Sequence, residues 1–289
     1  MSASFFPEAA YIQLQIEPGD PDANLLRLQE EIIGLAPAAG GIVVLPELWA
    51  TGFDYPRLAS LADVTPSLLE HLQAIAQEHD IYLAGSLPQR FRTTRTVRSR
   101  PHSSLYPPKQ EAVFYNTLFL VGPQGIIGSY RKHKLFPFWG EDDFFTPGPF
   151  PTPLRGPWGS LATLICYDIR FPSLAASQSA AGAELLVISA QWPRARISQW
   201  RILVRARAIE NQLFVIASNG YGQCGEYFLG GHSLIVAPDG SILAEAGAKE
   251  GSGKAWLDYS LLAKIRSRFR TIDTPDTSLS RASTQPCKN

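Results

Sequence analysis

A cysteine stands where an apolar stretch rich in β-forming residues ends. Residues 161–165 read Leu-Ala-Thr-Leu-Ile, Cys166 follows them, and a charged turn and Pro172 come directly after. A thiol at the end of a buried strand is placed where a rigid scaffold can carry a nucleophile. The simpler interpretation is a buried structural cysteine, because a free cysteine packs as a small hydrophobic residue. The residues around Cys166 leave both interpretations open.

Two other reactive side chains also follow predicted strands. Glu47 comes after the apolar stretch 41–45 and Pro46, and Lys132 follows the second strand of a predicted hairpin. A carboxylate can take the thiol proton and later activate water. An ammonium group lowers the pKa of a thiol and stabilises an oxyanion. Together the three would form a set for acyl transfer, but singly Glu47 could cap a loop and Lys132 could be a surface charge.

The elements that must position these residues alternate between strands and helices. Apolar stretches, some alternating at period two, predict strands at residues 11–16, 41–45, 81–86, 113–121, 125–130, 161–165, 185–189, 213–218, 233–237 and 241–244. Helical spacing and proline positions predict helices at residues 22–35, from 65 onward, 172–181 and 196–212. Strand–helix alternation combined with hairpins predicts an α/β protein with mixed sheets. Without a linker or repeat, we expect one domain over residues 1–270.

Composition excludes several classes of protein. The chain has 289 residues, 45% of them hydrophobic, and its formal net charge is zero, which argues against nucleic-acid and membrane-surface binding. Its three cysteines form no disulfide framework and its five histidines show no metal-ligand spacing. No signal-peptide pattern or membrane-spanning stretch is evident. We therefore expect a cytoplasmic protein without a metal or cofactor.

Two segments differ in composition from the rest of the chain. Residues 90–110 are rich in arginine, serine, threonine and proline, which predicts an exposed excursion between strands. Its arginines could contact phosphate, although a solvated loop is the preferred interpretation. Residues 271–289 are polar and are expected to form a poorly ordered tail.

One motif is rejected. Residues 220–225 match the GxGxxG pattern of dinucleotide-binding proteins and follow a predicted strand. A dinucleotide site requires a helix to begin there, whereas the next residues, 226–231, do not have a helical pattern.

Three segments, in chain order, resemble the signature segments of the nitrilase superfamily of carbon–nitrogen hydrolases. They are Leu45-Pro46-Glu47, residues 130–136 (Tyr-Arg-Lys-His-Lys-Leu-Phe) and residues 166–172 (Cys-Tyr-Asp-Ile-Arg-Phe-Pro). Further similar segments are 191–193, 206–212 and 219–220, so that the resemblance covers about residues 10–260. It implies a four-layer α-β-β-α sandwich, assembly as a homodimer or higher homo-oligomer, and a Glu–Lys–Cys triad.

The resemblance assigns the triad to Glu47, Lys132 and Cys166. Lys134 is the alternative lysine. It stands at a position where histidine is commoner in the family pattern. A second glutamate of the family falls on Glu141, with its neighbours Asp142 and Asp143 as alternatives. Its expected role is to hold the lysine or to position the substrate.

Three further residues are expected to support the reaction. The resemblance implies that the Tyr167 N–H helps Lys132 to hold the oxyanion. Arg170 could bind a substrate carboxylate bidentately, although a structural ion pair with a neighbouring acid is equally open. Trp192, in the segment 191–193, is expected to help position the substrate.

The residues that follow Cys166 indicate a branch of the superfamily. Nitrile-cleaving members typically carry Cys-Trp-Glu, whereas this chain resembles the small-amide branch, which includes ω-amidases and deaminated-glutathione amidases. Ser173, where glutamate is frequent in that branch, and the arginine-rich insertion are departures. The expected activity is hydrolysis of a small carboxamide through a cysteine thioester. The alternatives are an N-carbamoyl amino acid amidohydrolase, a nitrilase, or a catalytically idle relative that only binds ligands.

Overall fold

The computed structural model describes residues 7–92, 112–249, 251–269 and 271. Within these residues, most strands belong to two six-stranded sheets. The first sheet contains, in spatial order, β14 (Gly251–Trp256), β1 (Glu8–Gln13), β2 (Ile42–Val44), β3 (Tyr82–Arg92), β4 (Ala112–Gly122) and β5 (Gly125–Arg131). The strands β1, β2 and β3 run parallel to one another, and the other neighbours in this sheet are antiparallel.

The second sheet repeats this plan, with a parallel centre and antiparallel edges. It contains, in spatial order, β13 (Ile242–Glu245), β12 (Leu234–Val236), β9 (Phe214–Asn219), β8 (Leu185–Ala190), β7 (Gly159–Ile165) and β6 (Leu154–Gly156). The parallel strands are β7, β8 and β9. A separate two-stranded ribbon is formed by β10 (Tyr221–Cys224) and β11 (Tyr227–Gly230).

Helices cover the outer faces of the sheets. The described helices are α1 (Pro21–Leu35), α2 (Leu58–Asp63), α3 (Thr65–His79), α4 (Glu141–Phe144), α5 (Pro172–Ala180), α6 (Ile197–Asn211) and α7 (Tyr259–Arg268). The start of α1 shows why they form where they do: Asp20 accepts a hydrogen bond from the Ala23 N–H, and Pro21 occupies the first turn. The helix ends at Ala36, which adopts the left-handed conformation.

The layers follow from the alternation of side chains along each strand. In β1, Ala10 and Ile12 pack with α1 and α3, while Ala9 and Tyr11 point to the opposite face and pack against the second sheet. The other face of the second sheet packs on α5 and α6, for example on Trp200. The order of layers is therefore helices, sheet, sheet, helices, and the predicted four-layer α-β-β-α sandwich is confirmed.

Two of the predicted strands differ from the observed strands by three residues or more at an end. The first strand spans Glu8–Gln13 rather than 11–16, because the buried Leu14 has left the sheet and its carbonyl accepts a hydrogen bond from the Tyr221 N–H. The strand β3 continues to Arg92 because it pairs along its length with β4.

The arginine-rich insertion therefore begins later than predicted. Arg90 is a strand residue that pairs with Phe114, and its guanidinium lies 2.9 Å from Asp63. The prediction that an excursion starts at Arg90 is wrong, because cross-strand pairing continues beyond it. The rest of that insertion lies outside the described residues, as does the predicted tail apart from Thr271.

The carboxyl ends of strands from both sheets meet at one edge of the sandwich. Glu47 follows β2, and its N–H donates to the carbonyl of Ala190 at the end of β8 (3.3 Å). Lys132 follows β5, and its N–H donates to the Asn116 carbonyl in β4 (2.8 Å). Cys166 follows β7 directly. This edge is where an α/β fold commonly carries its reactive residues.

Candidate active site

Cys166 occupies a strained position at the end of β7. Its φ of 44° lies in the left-handed region, which is uncommon for a residue with a side chain and is often found at functional sites. A short 3₁₀ helix, Cys166–Arg170, follows. The Asp168 carboxylate closes this turn by accepting a hydrogen bond from the Ile165 N–H at 2.9 Å. The thiol is therefore presented by a turn whose geometry is locked from within.

Asp168 also connects this turn to the segment that carries the lysine. Its carboxylate accepts hydrogen bonds from the Tyr130 hydroxyl and from the Lys134 N–H, both at 2.8 Å. The Tyr130 hydroxyl in turn accepts from the His133 N–H at 3.1 Å. Burial raises the pKa of the Asp168 carboxyl above its usual value, although these donors oppose the rise. Asp168 thus holds the cysteine turn and the lysine segment together.

The lysine ammonium lies between two carboxylates. Lys132 Nζ is 2.6 Å from Glu47 Oε1 and 2.7 Å from Glu141 Oε2. All three side chains are at most 2% exposed, so that these ion pairs are not screened by solvent. We call Glu47, Lys132 and Glu141 the carboxylate–lysine cluster.

The cluster is fixed by hydrogen bonds from its surroundings. Asn116 Nδ2 donates to both carboxylates, at 2.8 Å to Glu47 and 3.0 Å to Glu141. The Gln191 N–H donates to Glu47 Oε2 (3.2 Å), and the Phe136 N–H donates to Glu141 Oε2 (2.7 Å). Each carboxylate is therefore held in a single orientation.

A glycine permits the close packing of the lysine segment. The N–H of Gly148 donates to the Lys132 carbonyl at 2.7 Å. A Cβ at position 148 would lie 2.3 Å from the Arg131 carbonyl oxygen, so any other residue would push the segment away.

The charges of the cluster set the protonation states of the site. Burial lowers the pKa of Lys132, but the carboxylates of Glu141 and Glu47 outweigh it and hold the pKa well above its usual value. Burial, assisted by the charge of Glu47, raises the pKa of Glu141 against the opposing effect of Lys132. The lysine therefore stays an ammonium group throughout the physiological pH range.

The thiol is protonated in the resting site. Burial and the adjacent Glu47 carboxylate raise the pKa of Cys166 well above its usual value, and Lys132 reverses only part of this rise. The charge of Lys132 does lower the thiol pKa, as expected, but burial and Glu47 outweigh it. Because the thiolate is the nucleophilic form, Cys166 needs a base, and the Glu47 carboxylate is its hydrogen-bond partner.

The cluster and the thiol line a cavity whose empty space, counted together with the open solvent at its mouth, is about 390 Å³. Six of its fourteen lining residues are aromatic and two are arginines. The lining residues are Glu47, Phe53, Tyr55, Lys132, Phe136, Trp139, Glu141, Cys166, Tyr167, Arg170, Gln191, Trp192, Pro193 and Arg196. A lining that combines aromatic rings with a few polar and charged groups is typical of a site for a small molecule.

Arg170 is not part of a structural ion pair within the described residues. Its guanidinium donates to Gln199 Oε1 at 2.7 Å and lies 4.7 Å from the ring centroid of Trp192. Burial and the nearby charge of Arg196 lower the pKa of Arg170. Neither arginine has a carboxylate of the described residues within 4.0 Å, so both can accept one from a ligand.

The structure separates the alternatives that the sequence left open. Lys134 lies outside the cluster, with its Nζ 5.0 Å from the Phe171 ring centroid. Asp142 and Asp143 are exposed, whereas Glu141 is buried against the lysine. The residues singled out in the sequence therefore share one cavity: the cluster, Cys166, Tyr167, Arg170 and Trp192.

Sequence reasoning missed several residues of this site, among them Asp168, Asn116, Tyr55 and Arg196. Asp168 lies within the segment 166–172, where an acid next to a predicted nucleophile was an available signal. Asn116 is a polar residue inside the otherwise apolar predicted strand 113–121, which was a weaker signal. Tyr55 lies in a loop after β2, and no sequence pattern marks it.

Other expectations concern the surroundings of the site. Residues 221–224 of the GxGxxG segment form the strand β10, which pairs with β11, and no helix begins there. Among the described residues, no group of three or more histidine, cysteine, aspartate or glutamate side chains is arranged to hold a metal ion. Within the same ranges, none of the helices combines the length and apolar character that a membrane crossing requires.

Comparison with known proteins identifies the family. A family model described as carbon–nitrogen hydrolase matches residues 8–267. The chain therefore belongs to the carbon–nitrogen hydrolase family, which confirms the resemblance seen in its sequence segments and shows that it is a hydrolase.

Named relatives and a solved structure agree with this assignment. The chain is 35% identical to 2-oxoglutaramate amidase of Bacillus subtilis, over 91% of this chain and 95% of that protein. It is 30% identical to an omega-amidase of Homo sapiens, over 90% and 91%. An amidase structure from Nesterenkonia sp. AN1 matches with a TM-score of 0.72 at 25% identity, over 91% and 97%. That structure, of a Glu→Gln variant, shows the result of Michael addition of acrylamide at the active site cysteine.

The Asp168 contacts generate a testable prediction. In Asp168→Asn an amide nitrogen replaces one carboxylate oxygen and leaves at least one buried donor unpaired. We expect the free energy of unfolding in urea to fall by about 2–3 kcal/mol. Tyr130→Phe removes one donor to Asp168 and the acceptor of the His133 N–H, but it keeps the other two hydrogen bonds of Asp168, so it should cost less, about 1–2 kcal/mol. An Asp168→Asn protein as stable as the wild type would contradict the assigned role.

Proposed function

We propose that this chain hydrolyses the terminal amide of a small carboxylic acid, in the manner of an ω-amidase, and releases ammonia. One observation carries the proposal: the carboxylate–lysine cluster lies beside the Cys166 thiol in a cavity that also holds two arginines without a carboxylate partner among the described residues. The relatives named 2-oxoglutaramate amidase and omega-amidase support the same class of substrate.

In the first half of the proposed reaction, the enzyme is acylated. Glu47 takes the thiol proton as the Cys166 sulfur attacks the amide carbonyl carbon. The resulting oxyanion is stabilised by the Lys132 ammonium and the Tyr167 N–H. The intermediate then collapses, the C–N bond breaks, and the nitrogen leaves as ammonia with the proton that Glu47 had taken. A thioester remains on Cys166.

In the second half, water releases the acid. Glu47, again without its proton, activates a water molecule that attacks the thioester carbonyl. The C–S bond breaks, the carboxylic acid leaves, and the sulfur takes back a proton from Glu47. Glu141 touches neither the sulfur nor the carbonyl in this scheme. It holds the ammonium group in place and keeps it charged.

The arginines support a substrate that carries its own carboxylate. Arg170 and Arg196 line the cavity without an acidic partner among the described residues, and the Trp192 ring lies against the Arg170 guanidinium. Guanidinium groups bind carboxylates bidentately and tightly in a partly dehydrated site. A short ω-amide presents both groups that this arrangement requires: an amide at the thiol and a carboxylate at the arginines.

The competing functions are distinguished by the products of parallel assays. An N-carbamoyl amino acid amidohydrolase would release carbon dioxide with ammonia, and a nitrilase would hydrolyse a nitrile. The raised pKa of the Cys166 thiol and its contact with Glu47 favour an active hydrolase over a catalytically idle relative, because a binding protein needs no base beside a buried thiol. Assembly as a homodimer, the cytoplasmic location, the absence of a nucleic-acid partner and the single domain stay predictions from the sequence.

Replacement of the nucleophile tests the reaction directly. We expect Cys166→Ala to abolish ammonia release from succinamate, a four-carbon ω-amide, because no thioester can form. Cys224→Ala is the matched control, since Cys224 is also a buried free cysteine but lies outside the cavity lining. It should retain activity. Undiminished turnover by Cys166→Ala would overturn the mechanism.

Replacement of the base should separate the reactivity of the thiol from turnover. Glu47→Gln removes the charge that raises the pKa of Cys166, so the thiol pKa should fall relative to the wild type. Alkylation by iodoacetamide at neutral pH should therefore persist, while kcat falls roughly 10³-fold because no group relays the proton. The two rates are measured by mass spectrometry and by ammonia release. A variant that retains wild-type kcat would contradict the role of Glu47.

Replacement of an arginine tests substrate choice. We expect Arg170→Gln to raise KM for succinamate about 10- to 100-fold, because a charge-assisted pair is lost. Butyramide, with a methyl group in place of the carboxylate, should be hydrolysed equally by wild type and variant. The matched control is Arg194→Gln, which changes an exposed arginine outside the cavity lining. Equal effects on both substrates would contradict a carboxylate contact.

A further inference from the structure

Tyr55 is a polar residue of the cavity to which the proposed mechanism gives no role. Tyr55 lines the cavity and belongs to a short 3₁₀ turn, Tyr55–Arg57, that follows β2. Asp54 caps this turn by accepting a hydrogen bond from the Arg57 N–H (3.2 Å). The tyrosine is therefore carried by an ordered turn next to the segment that supplies Glu47.

Neighbouring rings fix the direction of the Tyr55 side chain. Its ring stacks on Phe144, with centroids 4.6 Å apart and an interplanar angle of 13°. Phe145 packs with its edge at 6.2 Å and 77°, and Phe53 lies at 6.0 Å on another side. A ring held on several sides has little freedom to rotate away, so its hydroxyl group keeps one position in the cavity.

The hydroxyl group has no hydrogen-bond partner among the residues that the structure describes. In this it differs from Tyr130, whose buried hydroxyl both donates to Asp168 and accepts from His133. Burial and the nearby carboxylates of Glu141 and Glu47 raise the pKa of Tyr55 far above its ordinary value, although the charge of Lys132 opposes the rise. The group is therefore a neutral phenol that can donate and accept, and its ring stacks on Phe144 in α4, the helix that begins with Glu141.

We propose that the Tyr55 hydroxyl binds the carboxamide nitrogen of the substrate. This inference rests on the proposed function and adds a contact to it. The proton that leaves with ammonia comes from Glu47, so the nitrogen must lie on the carboxylate side of the reacting carbonyl. The Tyr55 hydroxyl is a cavity group on that side with an unused hydrogen bond. It orients the amide so that the carbonyl carbon faces the sulfur.

Binding without turnover tests this contact. In the Cys166→Ala background, calorimetry compares succinamate with monomethyl succinate, which has the same carboxylate and carbonyl but a methoxy group in place of the amino group. Adding Tyr55→Phe keeps the stacked ring and removes the hydroxyl. We expect Kd for the amide to rise about 5- to 20-fold, as for the loss of one hydrogen bond, and Kd for the ester to change less than about twofold.

Kinetics with the native cysteine provide the second measurement. Tyr55→Phe should lower kcat/KM for succinamate about tenfold or more. The matched control is Tyr227→Phe, which removes a hydroxyl from a ring stacked at 3.9 Å on Trp139 but absent from the cavity lining. It should behave as the wild type. The ring is kept in both variants, so both should unfold at the wild-type temperature.

The outcomes separate this inference from the function on which it rests. A wild-type protein that hydrolyses no small amide overturns the proposed function. An active wild type with an unaffected Tyr55→Phe variant overturns only the tyrosine contact. Equal weakening of amide and ester binding also overturns it, because that result would show that Tyr55 merely shapes the cavity.

Discussion

The site depends on an ammonium group buried between two carboxylates. Taking three ionised groups out of water costs several kcal/mol for each, and their mutual attraction compensates only if the geometry is accurate and the remaining hydrogen bonds are made. The structure meets this condition through Asn116, the Phe136 N–H and the Gln191 N–H, which satisfy the carboxylate oxygens. The need to compensate these buried charges therefore fixes the positions of four parts of the chain: Glu47, Asn116, residues 132–141 and Gln191.

The same burial explains why the nucleophile needs a neighbour. A thiol in a dry pocket beside a carboxylate resists ionisation. During turnover, the Cys166 proton must therefore pass to Glu47 as the sulfur attacks. The backbone at Cys166 is strained, and Asp168 connects it to the lysine segment. These contacts hold the Cys166 sulfur close to the Glu47 carboxylate and the Lys132 ammonium group. Reactivity therefore depends on long-range contacts, and loosening any of them separates the groups that must act together.

Much of the fold could be predicted, because strand and helix patterns depend on local side-chain periodicity. Deviations occurred where pairing partners determined the outcome: β3 continues to Arg92 because β4 lies beside it, and the first strand ends at Gln13 because the Leu14 carbonyl accepts a hydrogen bond from the ribbon. The candidate site was predictable from short sequence segments rather than from periodicity. Glu47, Lys132 and Cys166 stand at strand ends within recognisable segments, whereas Tyr55 has no local signal.

The sequence by itself determined the family and the layered α/β architecture, and it singled out the candidate reactive residues, since these follow from local patterns and ordered segments. Only the tertiary structure decided between Lys132 and Lys134, and between Glu141 and its acidic neighbours. It also showed that burial and Glu47 outweigh the lowering of the Cys166 pKa by Lys132. The physical reason is common to all three: burial and charge proximity arise between segments far apart in the chain, and no local pattern encodes them.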